Sequence, residues 1–396
     1  MIVDKIKKNN FCLGCGLCAS VLGKEICHIR LTEQGFYSPQ IEEDTNDSIV
    51  KELCPGIKVH YDGQHGLWGS ISEVYEGWST DTFVRQTAAS GGIVTSIAIF
   101  LLESKKVDAV LQVGVKDGEY LHNELKISRN RQDVIKCAQS RYAPALTLNN
   151  IKQILDDSQD IYAFIGKPCD ITGVKNLIEA YPQYKNRIRL FVSMFCAGMP
   201  SYKATEKAWR LSGKQEPPIS LNYRGDGWPG FFKAVWQDGS EYKLSYNESW
   251  GKILGRDVLF RCKICPDGIG LLADIAVGDS WNTKDGYPDF NESEGRSLVF
   301  VRTERGLQII SSAQDSGFIA TRPLEIEKIR YMQPYQYQKR KMLGWRILPI
   351  YFLSTGILDF KGFDMFRSIF HTDLLKGLKV SKGTIARFKR NRDTKK

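Results

Sequence analysis

Ten cysteines stand in a chain of 396 residues, and eight of them form two sets of four whose spacing suits iron–sulfur chemistry. The first set opens the protein. Cys12, Cys15 and Cys18 make a C-x2-C-x2-C run in FCLGCGLC, and Cys54 follows much later, directly before Pro55. Three clustered thiolates with a distant Cys-Pro is a ferredoxin pattern. Leu22 stands where the usual fourth cysteine of such a run would fall, so Cys54 is read as closing the set, with Cys27 as its rival. Gly14 and Gly16 alternate with the ligands, and glycine accepts the positive φ that turns backbone N–H groups toward cluster sulfurs. The competing reading is a zinc knuckle, but zinc takes two C-x2-C pairs at short separation, whereas this run packs three thiols closely.

The second set is scattered, and only secondary structure can gather it. Residues 160–165 (DIYAFI) are an apolar run read as a strand, followed by Gly166, Lys167, Pro168, Cys169 and a stretch of helical spacing. Residues 188–195 (IRLFVSMF) are a second buried-type strand, ending at Cys196. Apolar runs alternating with helices predict a parallel sheet covered on both faces, with ligands bound beyond the carboxyl ends of its strands. Cys169 and Cys196 would meet at that edge. Cys262 and Cys265, in FRCKICPDG, complete four ligands upstream of a strand over 273–277 that ends at Gly278 and Asp279. A lone C-x2-C also serves redox dithiols and half zinc sites, and a buried cysteine is often a plain small hydrophobe. Cys137 is read in that last way.

Composition points to a cytoplasmic, reduced protein. The opening MIVDKIKKNN has charges and no apolar core, so it is not read as a secretory signal. Ten thiols without export imply metal rather than disulfides. The 42% apolar fraction is ordinary for globular chains, and the length allows two or three domains. Charge is uneven. Residues 339–396 hold 15 Lys/Arg against four Asp/Glu, a net of +11, which leaves the remainder at −1 within a total of +10. The same stretch carries LGWRILPIYFLSTGIL (343–358), too short and too broken by Arg346 and Pro349 to span a bilayer. Apolar and aromatic residues beside Lys and Arg suit a helix lying on an anionic membrane, the alternative being a core-packing helix with a solvated charged end. No nucleic acid is expected as a partner, because no recognition fold accompanies the charge.

Between the cysteine sets, Thr87-Ala88-Ala89-Ser90-Gly91-Gly92 precedes the apolar helical run IVTSIAIFLLES. Ser90 is expected as its N-cap, with Gly91 and Gly92 letting a flavin phosphate approach the helix end. Ser140, Arg141 and Tyr142, and the run RGDGWPG over 224–230, would add an arginine for phosphate and Tyr142 or Trp228 to stack on a ring. Each of these segments also makes an ordinary turn.

The succession CLGCGLC, ELCPG, ASGGIVTSIAIFLLES, SRYAPAL, GKPCDITGVKNL, FCAGMPS, GWPGF, CKICPDG and ADIAVGDSW resembles the coenzyme F420 hydrogenase/dehydrogenase beta-subunit family over roughly residues 1–335. The resemblance implies an iron–sulfur flavoprotein. On it, Cys12, Cys15, Cys18 and Cys54 hold one 4Fe-4S cluster, and Cys169, Cys196, Cys262 and Cys265 hold a second one near FAD. Electrons would come from ferredoxin or another donor and pass to a small-molecule, glycan or deazaflavin substrate. Relatives with similar tails occur in surface-polysaccharide gene clusters, which implies a glycan. Lys167 stands where many relatives have Thr, and Ala197 where many have His, so the family's deazaflavin chemistry does not simply transfer. Asp279, ending a strand at the same sheet edge, and Lys167 are the expected proton or charge partners for the flavin or substrate.

The architecture expected is α/β: a ferredoxin-like 4Fe-4S module over 1–65, a mixed or parallel sheet flavin domain in two parts over 66–160 and 161–338, and a basic helical tail over 339–396. The leading function is an oxidoreductase with its own organic substrate. The alternatives are an electron-transfer subunit of a hydrogenase or dehydrogenase without a substrate site, and a zinc-stabilised binding protein without redox chemistry.

Overall fold

The computed structural model describes residues 1–393. The chain begins with α1 (Ile2–Lys8), α2 (Leu17–Leu22), β1 (Cys27–Leu31), β2 (Tyr37–Ile41), α3 (Ile49–Leu53) and β3 (Lys58–His60). Then come β4 (Glu73–Ser79), α4 (Thr82–Thr87), α5 (Ile93–Glu103), β5 (Ala109–Lys116), β6 (Glu119–Ser128), α6 (Arg131–Lys136), α7 (Ile151–Asp156), β7 (Tyr162–Gly166), α8 (Pro168–Ala180), β8 (Ile188–Met194) and α9 (Tyr202–Arg210). The next stretch holds β9 (Ser220–Asn222), β10 (Phe232–Val235), β11 (Glu241–Leu244), α10 (Phe260–Lys263), β12 (Ile275–Asp279), β13 (Thr283–Lys284), β14 (Tyr287–Pro288), β15 (Ser297–Val301), α11 (Glu304–Asp315) and β16 (Ile319–Pro323). Last are α12 (Ile329–Met332), α13 (Pro334–Lys341), α14 (Leu343–Leu353), β17 (Asp359–Lys361), α15 (Met365–Phe370) and α16 (Leu374–Asp393).

One eight-stranded sheet runs β16-β4-β15-β12-β8-β7-β5-β6. Its middle, β12-β8-β7-β5, is parallel, and the flanking pairs are antiparallel. The sheet is therefore mixed. Every residue of β7 is buried, because Ala163 and Ile165 join Ile97, Phe100 and Ile310 on one face while Tyr162 and Phe164 join Val174 and Leu177 on the other. Cover on both faces is what makes such strands read as continuous apolar runs. A three-stranded antiparallel sheet, β11-β10-β9, packs with α9 through Trp209, Tyr223, Phe232 and Trp236.

The first sixty residues do not stand apart. β1 and β2 form an antiparallel hairpin, but β3 pairs in parallel with β17, three hundred positions on, Lys58 opposite Asp359 and His60 opposite Lys361. The ferredoxin likeness is thus confined to the cysteine loop. Val3, Ile6, Phe11 and Ile57 share one core with Leu343, Ile347 and Ile350 of α14 and with Leu298 and Phe300 of β15. A module over 1–65 that folds independently is therefore not what forms, since its core is completed by the far end of the chain.

The same contacts overturn the reading of 339–396 as a tail separate from the fold. Lys339 and Arg340 are buried, with Arg340 donating to the Leu67 carbonyl at 2.9 Å and the Pro266 carbonyl at 2.8 Å. Phe388 of α16 stacks on Phe11 with ring centroids 6.2 Å apart and meets Phe260 at 5.4 Å. Net charge reported the composition of this stretch and not its packing. Its last three residues lie outside the described ones. No helix among the described residues is long and apolar enough to cross a membrane.

Candidate functional site

The first thiol set closes through its own loop. Gly14 and Gly16 hold φ of 64° and 86°, and a Cβ there would strike the Tyr37 carbonyl at 2.7 Å or the Asn149 side chain at 2.6 Å, so glycine is required twice. The Gly14 N–H reaches the Cys12 sulfur at 3.4 Å. Cys12, Cys15, Cys18 and Cys54 line one small cavity walled by Leu13, Leu17, Val50 and Leu53. Burial, and then Cys12, pushes the Cys54 thiol up to about 12, and burial followed by Cys54 drives Cys15 well above the ordinary thiol range. Cys27 packs against Cys18, sulfurs 3.7 Å apart, without lining the cavity.

Sheet topology assembles the second set. Cys169 lies in the first turn of α8 just beyond β7, Cys196 follows β8, and Cys262 and Cys265 lie in and just after α10. The Cys196 N–H donates to the Gly268 carbonyl at 2.9 Å, tying the strand end to the C-x2-C loop. Burial raises the Cys169 thiol, with Asp170, Cys196 and Cys265 adding to it. Burial and Cys262 bring Cys196 to about 12, against the pull of Lys339 and Lys167. Both lysines are held charged. Burial works against the Lys167 ammonium, but Asp170, 2.6 Å away, and Cys169 outweigh it. Burial likewise opposes Lys339, and Cys265, Tyr335 and Cys196 outweigh it. Helix α13 clamps this region as well, Gln336 donating to the Cys196 carbonyl at 3.1 Å and Tyr335 to the Ala197 carbonyl at 3.1 Å.

One residue joins the two sets. Arg261 is 1% exposed and donates through Nε to the Gly56 carbonyl at 2.5 Å and through Nη2 to the Pro55 carbonyl at 3.1 Å. It thus ties the loop carrying Cys54 to the helix carrying Cys262. Among the described residues, no three Cys, His, Asp or Glu side chains close on a single ion-sized point.

A cleft of about 280 Å³ opens at the carboxyl ends of β5, β7, β8 and β12, and Cys196 lies in its wall. Ser90, Ser140, Arg141, Tyr142, Lys167 and Asp279 line it, whereas Gly91, Gly92 and Trp228 do not. Ser90 is not the cap of α5. It takes a left-handed φ of 56°, its hydroxyl donates to the Gly278 carbonyl at 3.1 Å, and Gly92 occupies the cap position. Gly91 packs against the Gly295 backbone and Gly92 against Val84, so any side chain at 92 would collide with protein before it met a ligand.

The arginine readings also change. Arg141 gives its guanidinium to Asn123 Oδ1 at 2.7 Å and to the carbonyls of Leu221 and Tyr120, which leaves it poorly placed for a phosphate. Asp279 is held by Arg224 in a two-pronged pair at 2.8 and 3.0 Å and by the Trp228 indole N–H at 2.9 Å. Trp228 itself stacks on Trp281, centroids 4.7 Å apart, as a buried brace rather than a ring platform. With its oxygens engaged in this way Asp279 positions the cleft, and Lys167 beside Asp170 is a fixed charge; neither has the freedom of a proton carrier.

Sequence reasoning missed Tyr246, Trp250, Gln333 and Gln336, all of which line the cleft. Gln333 donates to the Asp279 carbonyl at 2.7 Å. Gln336 is 2% exposed, and its Oε1 has no hydrogen-bond partner among the described residues. A buried acceptor left unpaired carries a cost of about 1–3 kcal/mol, which a bound N–H or O–H donor would remove. With Tyr142 and Trp250 4.7 Å apart and Tyr246 and Trp281 5.3 Å apart, the lining fits a planar aromatic group. Trp281 lay two residues beyond Asp279 in an already noted motif, and that adjacency was the one available signal.

Comparison with known proteins agrees with this geometry. Residues 74–152 match the model described as coenzyme F420 hydrogenase/dehydrogenase, beta subunit N-term, and residues 159–327 match its C-terminus counterpart. The two models match within residues 74–327, and CLGCGLC and ELCPG lie before them. The chain is 24% identical over 262 residues to coenzyme F420 hydrogenase subunit beta of Methanothermobacter thermautotrophicus, covering 65% of this chain and 86% of that one. It is 25% identical to F420-dependent formate dehydrogenase 1 subunit beta of Methanococcus maripaludis, covering 63% of this chain and 62% of the relative. A chain of the F420-reducing NiFe hydrogenase complex from Methanosarcina barkeri shares the fold with a TM-score of 0.55 and 21% identity, covering 72% of this chain and 96% of that one. On two models that together span more than half of its length, the chain belongs to the coenzyme F420 hydrogenase/dehydrogenase beta-subunit family.

Proposed function

We infer that this chain is an electron-transfer subunit of a larger oxidoreductase, with a 4Fe-4S cluster at each thiol set and FAD in the cleft. The observation that carries the reading is Arg261, which joins the Cys54 loop to the Cys262 helix, while Cys196 of the second set lies in the cleft wall. Thiol set, thiol set and cleft thereby form one continuous route. The thiols fit the centres: each set is four buried or half-buried cysteines, the donor type that iron–sulfur clusters take. When bound, iron–sulfur centres supply single-electron steps and a flavin couples them to hydride transfer.

The chain's own groups do the rest. Lys167 and Lys339 place fixed positive charge beside the second set. Arg224, Asp279 and Trp228 hold the β12 end of the cleft rigid. Tyr142, Tyr246, Trp250 and Trp281 flank a ring plane and exclude water from it. Relatives whose names make them beta subunits of a hydrogenase and a formate dehydrogenase favour the subunit reading over an enzyme with its own glycan substrate. An acceptor of deazaflavin type fits those names.

Anaerobic reconstitution of the full chain tests this. About eight irons per chain, visible absorbance that bleaches with dithionite, and FAD released on denaturation are the expected results. A colourless zinc protein, or one that binds no flavin, would overturn it.

A further inference from the structure

Helix α15 and the first turns of α16 are built inside out. Met365 apart, which packs against the core, the inward positions are small or polar: Ser368 accepts from the Gly344 N–H at 2.6 Å, Ser381 donates to the Trp345 carbonyl at 2.6 Å, and Gly377 lies under the Trp345 ring, where a Cβ would come within 2.2 Å. The large apolar side chains point the other way. Phe366 is 66% exposed, Phe370 83%, Leu375 76%, and Leu374 and Leu378 more than half. A helix held by its apolar stripe does the reverse. These five side chains therefore add nothing to the protein's own core, and a patch of this kind marks an interaction surface.

Cations surround it. Arg367, Lys376, Lys379 and Lys382 are all exposed on the same two helices, and Asp373 is the one acid between residues 365 and 390. We propose that this corner seats the protein on an anionic membrane surface, with the phenylalanines and leucines entering the boundary between headgroups and acyl chains and the cations meeting lipid phosphate. Charge selects among the occupants. A second copy of the chain would bring like charges against these, and a neutral apolar protein face would leave them unanswered, whereas anionic lipid satisfies the apolar and the basic groups together. The corner lies beyond residues 74–327, which the family models match. Its seat is narrower than the whole basic stretch, because Lys339, Arg340 and Phe388 are spent inside the fold.

The test is co-sedimentation of the full chain with vesicles of phosphatidylcholine alone and with about one-third phosphatidylglycerol added. Binding to the anionic vesicles at low salt is expected, with release severalfold greater at about 1 M salt, where the Debye length is about 3 Å, and none to the neutral vesicles. Phe370→Ser/Leu375→Ser and, separately, Lys376→Glu/Lys379→Glu change only exposed side chains, and each should lower the bound fraction about tenfold with the melting temperature unchanged. The proposal falls if the full chain ignores anionic vesicles at low salt, or if either double variant binds as well as the parent. It falls too if the Phe370→Ser/Leu375→Ser change converts a solution dimer to monomer while neither form pellets, since the patch would then be a protein interface.

Discussion

The first thiol set takes three cysteines from one glycine-rich segment and Cys54 from the end of α3, walled by leucine and valine, whereas the second is gathered from beyond the ends of β7 and β8 and from α10, with Lys167 and Lys339 beside it. Both bury their thiols and both feel the Arg261 guanidinium, but the second adds Lys339 and the Lys167–Asp170 pair beside its sulfurs. An anionic centre in an apolar wall resists a further electron, and one beside two ammonium groups accepts it more readily. If the proposed clusters are bound, this contrast predicts that the apolar set is the stronger reductant of the two.

The harshest way to break this comparison is to remove what the two sets share. Arg261→Met leaves the Pro55 and Gly56 carbonyls buried without their donor and should destabilise the protein by about 3–5 kcal/mol. Iron should be lost from both sets together. Urea unfolding of the apoprotein and iron per chain measure these effects, and full iron at either set would mean that the two are built independently. Phe388→Ala is milder. It removes a buried ring that stacks on Phe11, the neighbour of Cys12, and meets Phe260, two residues before Cys262, at a cost of about 3 kcal/mol. Iron should fall at both sets, less than in Arg261→Met; loss confined to one set would mean that the ring serves that set alone.

How much of this was legible in the sequence follows from the range of each interaction. Cys12, Cys15 and Cys18 are a local pattern, and the glycine conformations between them followed from spacing alone. The strands ending at Cys169 and Cys196 were legible because cover on both faces leaves a continuous apolar run, and the carboxyl edge then located the cleft. Long-range pairing was not. Nothing local in residues 359–361 announces that they extend β3, and a count of cations could not tell that Lys339 and Arg340 are buried while Lys376 and Lys379 are exposed. Ser90 and Gly92 failed for a related reason. Ser-Gly-Gly before a helix looks like a phosphate cradle, yet three successive left-handed residues carry the chain against Gly295 and Val84 instead. Gln336 gave no signal at all, because its importance lies in an acceptor left unpaired by partners distant in the chain.

Cysteine replacement sharpens the comparison without unfolding anything. Cys15→Ser and Cys196→Ser should each lower iron by about half, but only Cys196 lies in the cleft wall. The flavin spectrum and affinity should therefore change in Cys196→Ser and stay constant in Cys15→Ser. If Cys15→Ser keeps all its iron, Cys27 is available as the substitute, and the set at the first site must be redrawn.

The smallest expected effect bears most directly on which set is the stronger reductant. Lys339 is 3% exposed and is held as a cation by Cys265, Tyr335 and Cys196 against the pull of burial. Replacing it with Met keeps the volume of the stem while deleting one positive charge beside the second set. The oxidised and reduced forms of the centre differ by one negative charge, so losing the cation penalises the reduced form more and the midpoint potential must fall. A tenfold change in a one-electron equilibrium is about 59 mV, and a partly screened buried charge at this range should move the potential by on the order of 50 mV. The first set, with no lysine in its wall, should not move. Lys339→Arg should restore most of the shift, which separates charge from packing, and an unfolding midpoint close to the parent's would confirm that α13 still clamps Cys196. Potentials followed by redox titration in both variants decide the matter. If the second potential stays constant in Lys339→Met, or if the first moves equally, the two sets do not differ electrostatically and their ranking as reductants cannot rest on these lysines.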